Sequence, residues 1–230
     1  MRKLVSTLTG LEYPFERLEE FAENGEALEV VLPGVERARP RPGLRLWERF
    51  AEFLPFKQME PRASLGEGGT PLVEAGAQLA AFSGLERLLL KNETQNPTWS
   101  FKDRGSLACV FMAQELGEPT LATISTGNMG HSIAAYAARA DLKALVFVPE
   151  FAPREKLLAM TIHGAAVVRV RAPDYALMKQ AVLGLAKEFN LRIVSGNGPI
   201  RVEGYKLTAF ELYEQTRGDL PDYIAVPTSA

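Results

Sequence analysis

One cysteine, Cys109, and two histidines are the only thiol and imidazole groups in 230 residues. A single thiol excludes an intrachain disulfide, and with no Cys or His before residue 109 the first part of the chain has no soft ligands for a structural zinc, so no metal is expected. Cys109 lies among Leu107, Val110, Phe111 and Leu116, where it reads as a buried, inert thiol rather than a nucleophile. An excess of charge of one sign is also missing. Lys and Arg number 26 against 28 Asp and Glu, interspersed to a net charge of −2, which leaves no basic stripe for nucleic acid and no polybasic anchor for a membrane. No apolar run approaches the ~20 residues of a membrane span, and residues 1–12 lack the apolar core and small-residue cleavage site of a signal peptide. The expected location is the cytoplasm. No Gly-x-Gly-x-x-Gly follows an expected strand and no Walker loop is present, which removes dinucleotide and P-loop sites.

What is present is ordinary globular material: 47% hydrophobic and 23% charged residues, enough for one large or two small domains. From Thr120 to Val194 the apolar runs Leu121–Ile124, Ala144–Val148, Ala166–Val170 and Leu191–Val194 alternate with helical patterns. Pro153 and Asp174 mark helix starts, and Gly164 marks an end. The fold class expected is α/β, with parallel sheets and flanking helices. Residues 1–60 differ: 11–26 is acidic and helix-like in patches, Val30–Leu32 reads as a short strand, and Arg37–Pro42 is broken by proline. Leu46–Leu54 reads as a short amphipathic helix, Leu88–Leu90 and Tyr223–Pro227 as strands, and a helix is expected from the 195–198 loop towards Gly218.

Chemistry concentrates in a few stretches. Within Asn96–Gly105, Ser100 followed by Asp103 reads as a capping box, and Leu107, Val110, Phe111 and Leu116 recur at helical spacing up to Gly117, which sets Lys102 in a first helical turn. The positive end of a helix disfavours an ammonium, and apolar Trp99 and Phe101 alongside would remove water from it. Both effects favour the neutral amine that a carbonyl-attacking lysine must supply. Taken alone, a first-turn lysine is ordinarily solvated and meets a dipole effect of roughly 0.3–1 kcal/mol. Ser125–Ser132 follows the strand Leu121–Ile124, at the carboxyl end where ligands bind in such sheets. Its glycines allow close backbone approach, and its helix-start amides favour an anion. In Ser195–Lys206, Arg201 has the planar fork that suits phosphate. Each has a blander alternative: a plain strand-to-helix turn for the second, solvated charges for the third. His131, opening a helix, reads as a capping or packing residue.

In this order and spacing, Asn96-Pro97-Thr98-Trp99-Ser100-Phe101-Lys102-Asp103-Arg104-Gly105 resembles the Schiff-base lysine motif of the threonine synthase family, pyridoxal phosphate (PLP) enzymes of the tryptophan-synthase-β fold, fold type II. Trp99 stands where that family usually has glycine. Gly66-Glu67-Gly68-Gly69-Thr70-Pro71-Leu72, Ser125-Thr126-Gly127-Asn128 and the Asn197 to Lys206 block are similar to three further motifs of the family. The resemblance implies that Lys102 holds PLP beside Phe101, that Asn128 meets the cofactor ring oxygen, and that Ser229 and Ala230 open the loop for the cofactor phosphate. It places the substrate carboxylate at Ser125, Thr126 and the Met129 backbone, and the substrate phosphate at Asn197 and Arg201. It further implies that residues 1–60 are a degenerate ribbon without metal, 61–118 the first part of a large catalytic domain, 119–197 a small α/β domain, and 198–230 a return to the large domain. By the same comparison the chain looks truncated at the cofactor-phosphate loop, with a homodimer expected at full length.

The activity implied is conversion of the small-molecule substrate O-phosphohomoserine, with water, to L-threonine and phosphate. The alternatives are a related PLP lyase of threonine dehydratase or cysteate synthase type, or a non-catalytic binding or regulatory module, to which Trp99, Met129 and the missing phosphate loop point.

Overall fold

In a computed structural model, which describes residues 2–16, 21–22 and 25–228, the chain begins as a small antiparallel sheet. Strand β1 (Lys3–Ser6) runs between β2 (Glu12–Pro14) and β3 (Leu28–Val31). This corrects the helix-like expectation for residues 11–26 in its described part. Tyr13 pairs across from Leu4, and the period-two alternation of β1 buries Leu4 and Ser6 on one face. Residues 17–20 and 23–24 lie outside the described residues. The expected helix at 46–54 is split into α1 (Leu46–Arg49) and a 3-10 turn at Ala51–Phe53, with Trp47, Phe50 and Leu54 buried as its spacing required. Strands β4 (Leu72–Glu74) and β5 (Leu89–Lys91) form an antiparallel pair separated by α2 (Ala77–Ser83).

The central element is α3 (Lys102–Leu116). Residues 103–113 of it are all buried, so its surface is not amphipathic, as expected of a helix packed on every side. Gly117 ends it in the left-handed region at φ 68°. Then comes the alternating layer that the apolar runs foretold: β6 (Thr120–Ile124), α4 (Asn128–Arg139), β7 (Lys143–Pro149), α5 (Arg154–Thr161), β8 (Ala166–Val170), α6 (Tyr175–Glu188) and β9 (Ile193–Val194). The four strands are parallel in the order β8-β7-β6-β9. Asp174 caps α6 by accepting from the Leu177 amide at 2.8 Å.

The single helix expected after residue 198 is two, α7 (Pro199–Tyr205) and α8 (Leu207–Gln215), meeting at Lys206. Tyr223–Pro227, expected as a strand, pairs with no strand among the described residues; extended backbone becomes a strand only beside a neighbour that takes its N–H and C=O groups. Arg104 of α3 ties these parts together. Its guanidinium bonds Glu93 after β5 and Glu211 of α8, each at 2.7 Å, while Lys91 of β5 reaches Glu211 at 2.5 Å. Among the described residues no helix is long and apolar enough to cross a membrane.

Candidate active site

The turn that delivers Lys102 is built from side-chain hydrogen bonds. Buried Asn96 accepts from the Gly68 amide at 3.0 Å and donates to the Glu93 carbonyl at 2.8 Å, joining the glycine-rich 66–72 turn to the lysine turn. The Trp99 amide closes back on the Asn96 carbonyl at 2.8 Å, and Trp99 itself sits at φ 61°. The family's glycine at this position now has a physical reason, since a side chain in the left-handed region is strained. The indole is largely in water, 74% exposed, with its edge toward His131.

The expected capping box between Ser100 and Asp103 does not form. Ser100 Oγ accepts from the Lys102 amide at 3.1 Å, whereas the Asp103 carboxylate takes the Thr98 amide at 2.7 Å, the Thr98 hydroxyl, and the Ser132 hydroxyl of α4 at 2.6 Å. Asp103 is thus committed to pinning the turn to α4. A buried carboxylate takes the donors within reach, and here two come from Thr98 in the turn and one from Ser132 of α4.

Lys102 is half-buried, with Nζ 4.1 Å from the centre of the Phe101 ring and 5.5 Å from that of Tyr205. Among the described residues its amine has neither a carboxylate nor a hydrogen-bond partner. Burial, and then the charge of Arg201, hold its pKa below the ordinary lysine value, which favours the neutral amine. Behind it α7 crosses α3 at backbone contact. A Cβ on Gly204 would come 2.1 Å from the Arg104 carbonyl oxygen, and one on Gly105 would come 2.4 Å from Arg201 Cγ. Only because both positions are glycine does the Arg201 guanidinium reach the Lys102 carbonyl at 3.2 Å, Ser106 at 3.3 Å and the Tyr205 hydroxyl at 3.1 Å.

The 125–130 loop follows the carboxyl end of β6. Ser125 Oγ accepts from the Gly127 and Gly130 amides at 3.2 and 3.0 Å, so this hydroxyl shapes the loop from inside. Gly130 is held against Met160, leaving 2.8 Å for a Cβ. Asn128 is exposed at the first position of α4, where amides have no carbonyl ahead of them, and Thr126 and Met129 are half-buried. Met129 reaches the loop after β9, 3.6 Å from where a Gly196 side chain would begin, and Asn197 is exposed on that loop. His131 is no lone residue: its Nε2 meets that of His163 at 3.3 Å, and burial and then that neighbour lower its pKa.

Lys102, Phe101 and Arg201 are therefore brought together, and the Asp103–Ser132 bond draws α4, with Asn128 and Met129 one turn earlier, to the same end of α3. Asn197 and Arg201 are not brought together on an open face, because the guanidinium is fully buried and bonded to protein. Ser229 and Ala230 lie outside the described residues. Tyr205, Gly105 and Gly204 were missed as site-builders. Their signal was a glycine in each of two motifs, which acquires meaning only once the two helices are known to cross. Two shallow concavities lie elsewhere. One is lined by Glu16, Lys57, Gln58, Glu115 and Leu116, at the far end of α3 and so about 20 Å from Lys102 at 1.5 Å per residue; the other is drawn from residues 41–61.

Residues 63–230 match the family model described as pyridoxal-phosphate dependent enzyme. The chain is 41% identical over 181 residues to the threonine synthase of Methanocaldococcus jannaschii, covering 78% of this chain and 44% of that one. It is 37% identical over 184 residues to the threonine synthase of Halalkalibacterium halodurans, covering 79% and 51%. The chain thus spans about half the length of the curated relatives it matches. Among solved structures it is similar to a threonine deaminase from T.th., with TM-score 0.55 and 31% identity over 64% of this chain and 46% of the other.

Proposed function

Because this chain belongs to the family of pyridoxal-phosphate dependent enzymes, with their fold type II architecture, we propose that Lys102 is its cofactor lysine and that it serves a threonine synthase reaction, O-phosphohomoserine and water giving L-threonine and phosphate. The observation that carries this reading is an amine held half out of water, 4.1 Å from the Phe101 ring centre and 5.5 Å from that of Tyr205, with no acid among the described residues to keep it charged. Its fit to an aldehyde cofactor is direct. Lys102 would hold such a cofactor through Nζ, which must be neutral for this because an ammonium has no lone pair to offer. Phe101 and Tyr205, whose ring centres lie 5.0 Å apart, together cover one side of Nζ against water.

When bound, the cofactor supplies an electron sink for carbanion chemistry at the substrate. The chain's own residues do the rest. Lys102 Nζ would move protons at the substrate carbons. Asn128, exposed at the start of α4, is the residue for the cofactor ring oxygen, and Thr126 with the Met129 amide faces the substrate carboxylate. The Ser125 hydroxyl, already accepting two amides, holds the loop in shape for them. Asn197 remains the candidate for substrate phosphate, with Arg201 on the next helix bonded to the Lys102 carbonyl, Tyr205 and Ser106.

To test this, the protein is incubated with PLP, reduced with borohydride and mapped by mass spectrometry. The cofactor mass is expected on the Lys102 peptide and is lost in Lys102→Ala; a label spread over surface lysines, or unchanged in the variant, would sink the reading. Similarity to a threonine deaminase motivates a second reading as a dehydratase. Phosphate release from O-phosphohomoserine, set against keto-acid formation from threonine, separates the two.

A further inference from the structure

We propose that His131 and His163 form a metal-binding pair, which takes one borderline transition-metal ion such as Zn²⁺, Ni²⁺ or Cu²⁺ between their Nε2 atoms and so ties the first turn of α4 to the end of α5. The inference goes beyond the cofactor-lysine reading and does not rest on it.

These are the only two imidazoles in the chain, and the fold brings them together across 32 residues. Their Nε2 atoms are 3.3 Å apart and their ring centres 5.4 Å, with the planes 24° from parallel. A sound N–H hydrogen bond ordinarily spans about 2.7–3.2 Å, so this contact lies past its long end. Two nitrogens that each sit about 2.0–2.1 Å from a single tetrahedral ion are about 3.3–3.4 Å apart. The observed separation is the second of these.

The backbone holds both rings in this position. The His131 amide donates to the Gly127 carbonyl at 3.3 Å, and the His163 amide closes α5 on the Met160 carbonyl at 3.2 Å. Gly130, next to His131, leaves only 2.8 Å for a Cβ before Met160 Cε, so the two turns that carry the imidazoles are packed against each other. An ion meeting a preformed pair need not gather its ligands, which lowers the ordering cost of binding. Imidazole nitrogen suits Zn, Ni and Cu, whereas Mg and Ca take oxygen. Both rings are half-buried beside the exposed indole of Trp99, whose centre is 6.1 Å from that of His131. Among the described residues no third His, Cys, Asp or Glu joins the pair to make a metal cluster, so the other coordination positions fall to water and the ion exchanges, unlike one in a closed four-ligand structural site.

The test uses the full chain without a histidine tag and the ions alone. Equilibrium dialysis against Zn²⁺ or Ni²⁺ is expected to give one ion per chain, and Mg²⁺ none. His131→Gln and His163→Gln each remove half the chelate. Both are expected to weaken uptake by more than the about 10–100-fold that loss of a mere ligand-orienting partner costs. Cu²⁺ is expected to quench Trp99 in the parent but not in H163Q, and Trp99→Phe removes the quenching, because the remaining Trp47 packs against Phe111 on the far part of α3. No saturable uptake by the parent would overturn the proposal and leave the contact a hydrogen bond. Parent affinity in either single variant would overturn it as well, and so would quenching that survives in H163Q. Should circular dichroism show the variants unfolded, the parent's Cu²⁺ complex decides: pulsed electron paramagnetic resonance is expected to show two coupled imidazoles, and one or none would sink the pair. PLP trapping on Lys102 is scored separately, so either reading can fail while the other stands.

Discussion

Trp99 shows how one residue can oppose the backbone that carries it. It occupies the left-handed region at φ 61°, where a residue with a Cβ is strained by roughly 1–2 kcal/mol, and its indole is 74% exposed, so little burial offsets the strain. Trp99→Gly relieves it, partly countered by the extra freedom glycine has in the unfolded chain. The expected net effect is stabilisation by about 0.5–1 kcal/mol, seen as a higher urea midpoint at unchanged slope. A lower midpoint would show that the indole edge against His131 holds the turn more firmly than its exposure suggests. Trp99 was legible as a departure from the family pattern. Its cost was not, because a dihedral angle belongs to the folded turn and not to the sequence.

Among the elements, the α3–α7 crossing decides where Lys102 points. Gly204 lies so close to the Arg104 carbonyl that a Cβ there would sit at 2.1 Å, and a backbone oxygen cannot swing aside as a side chain can. Gly204→Ala must push α7 off α3. The expected loss is about 3 kcal/mol, at the upper end for overpacking, measured by urea unfolding. A variant as stable as the parent would mean that the two helices slide past each other freely. The same crossing marks the limit of what periodicity reveals. The parallel layer from β6 to β9 was readable because its strands are continuous apolar runs and its helices have capping residues at their ends. The Ser100–Asp103 pair had the spacing of a capping box, yet Asp103 accepts from Thr98, five residues back, and from Ser132, 29 residues on, partners that helical spacing does not reveal. Arg201 was visible as an arginine in a phosphate-like block, but its burial depends on the packing of α7 against Gly105 of α3, about a hundred residues earlier in the chain. Tyr223–Pro227 failed as a strand for the complementary reason: residue preference cannot supply a neighbour to pair with.

For the whole molecule, the joint is the buried cluster in which Arg104 bonds Glu93 and Glu211, bringing β5, α3 and α8 to one point beside the lysine turn. Burial alone would raise both carboxyls, but hydrogen bonds and charge from Arg104 overcome it and hold both below the usual carboxylate range. The sign of the pH effect follows. Carboxyls whose pKa is depressed on folding stabilise the fold fully above their unfolded value, near 4.3, and that stability is lost as pH falls through their lowered folded values. Arg104→Met removes the cation and leaves Lys91 to serve Glu211, so Glu93 becomes the carboxylate left with only Thr70 and Asn96 as donors. Breaking a buried pair from one side costs about 3–5 kcal/mol, and that loss is expected at pH 7 by urea unfolding. With Arg104 gone, burial favours the protonated acid, so the gap between variant and parent narrows as the pH is lowered through about 4. A gap that stays constant across that range would show that Arg104 contributes by filling space rather than by its charge, and the joint would then be a matter of packing alone.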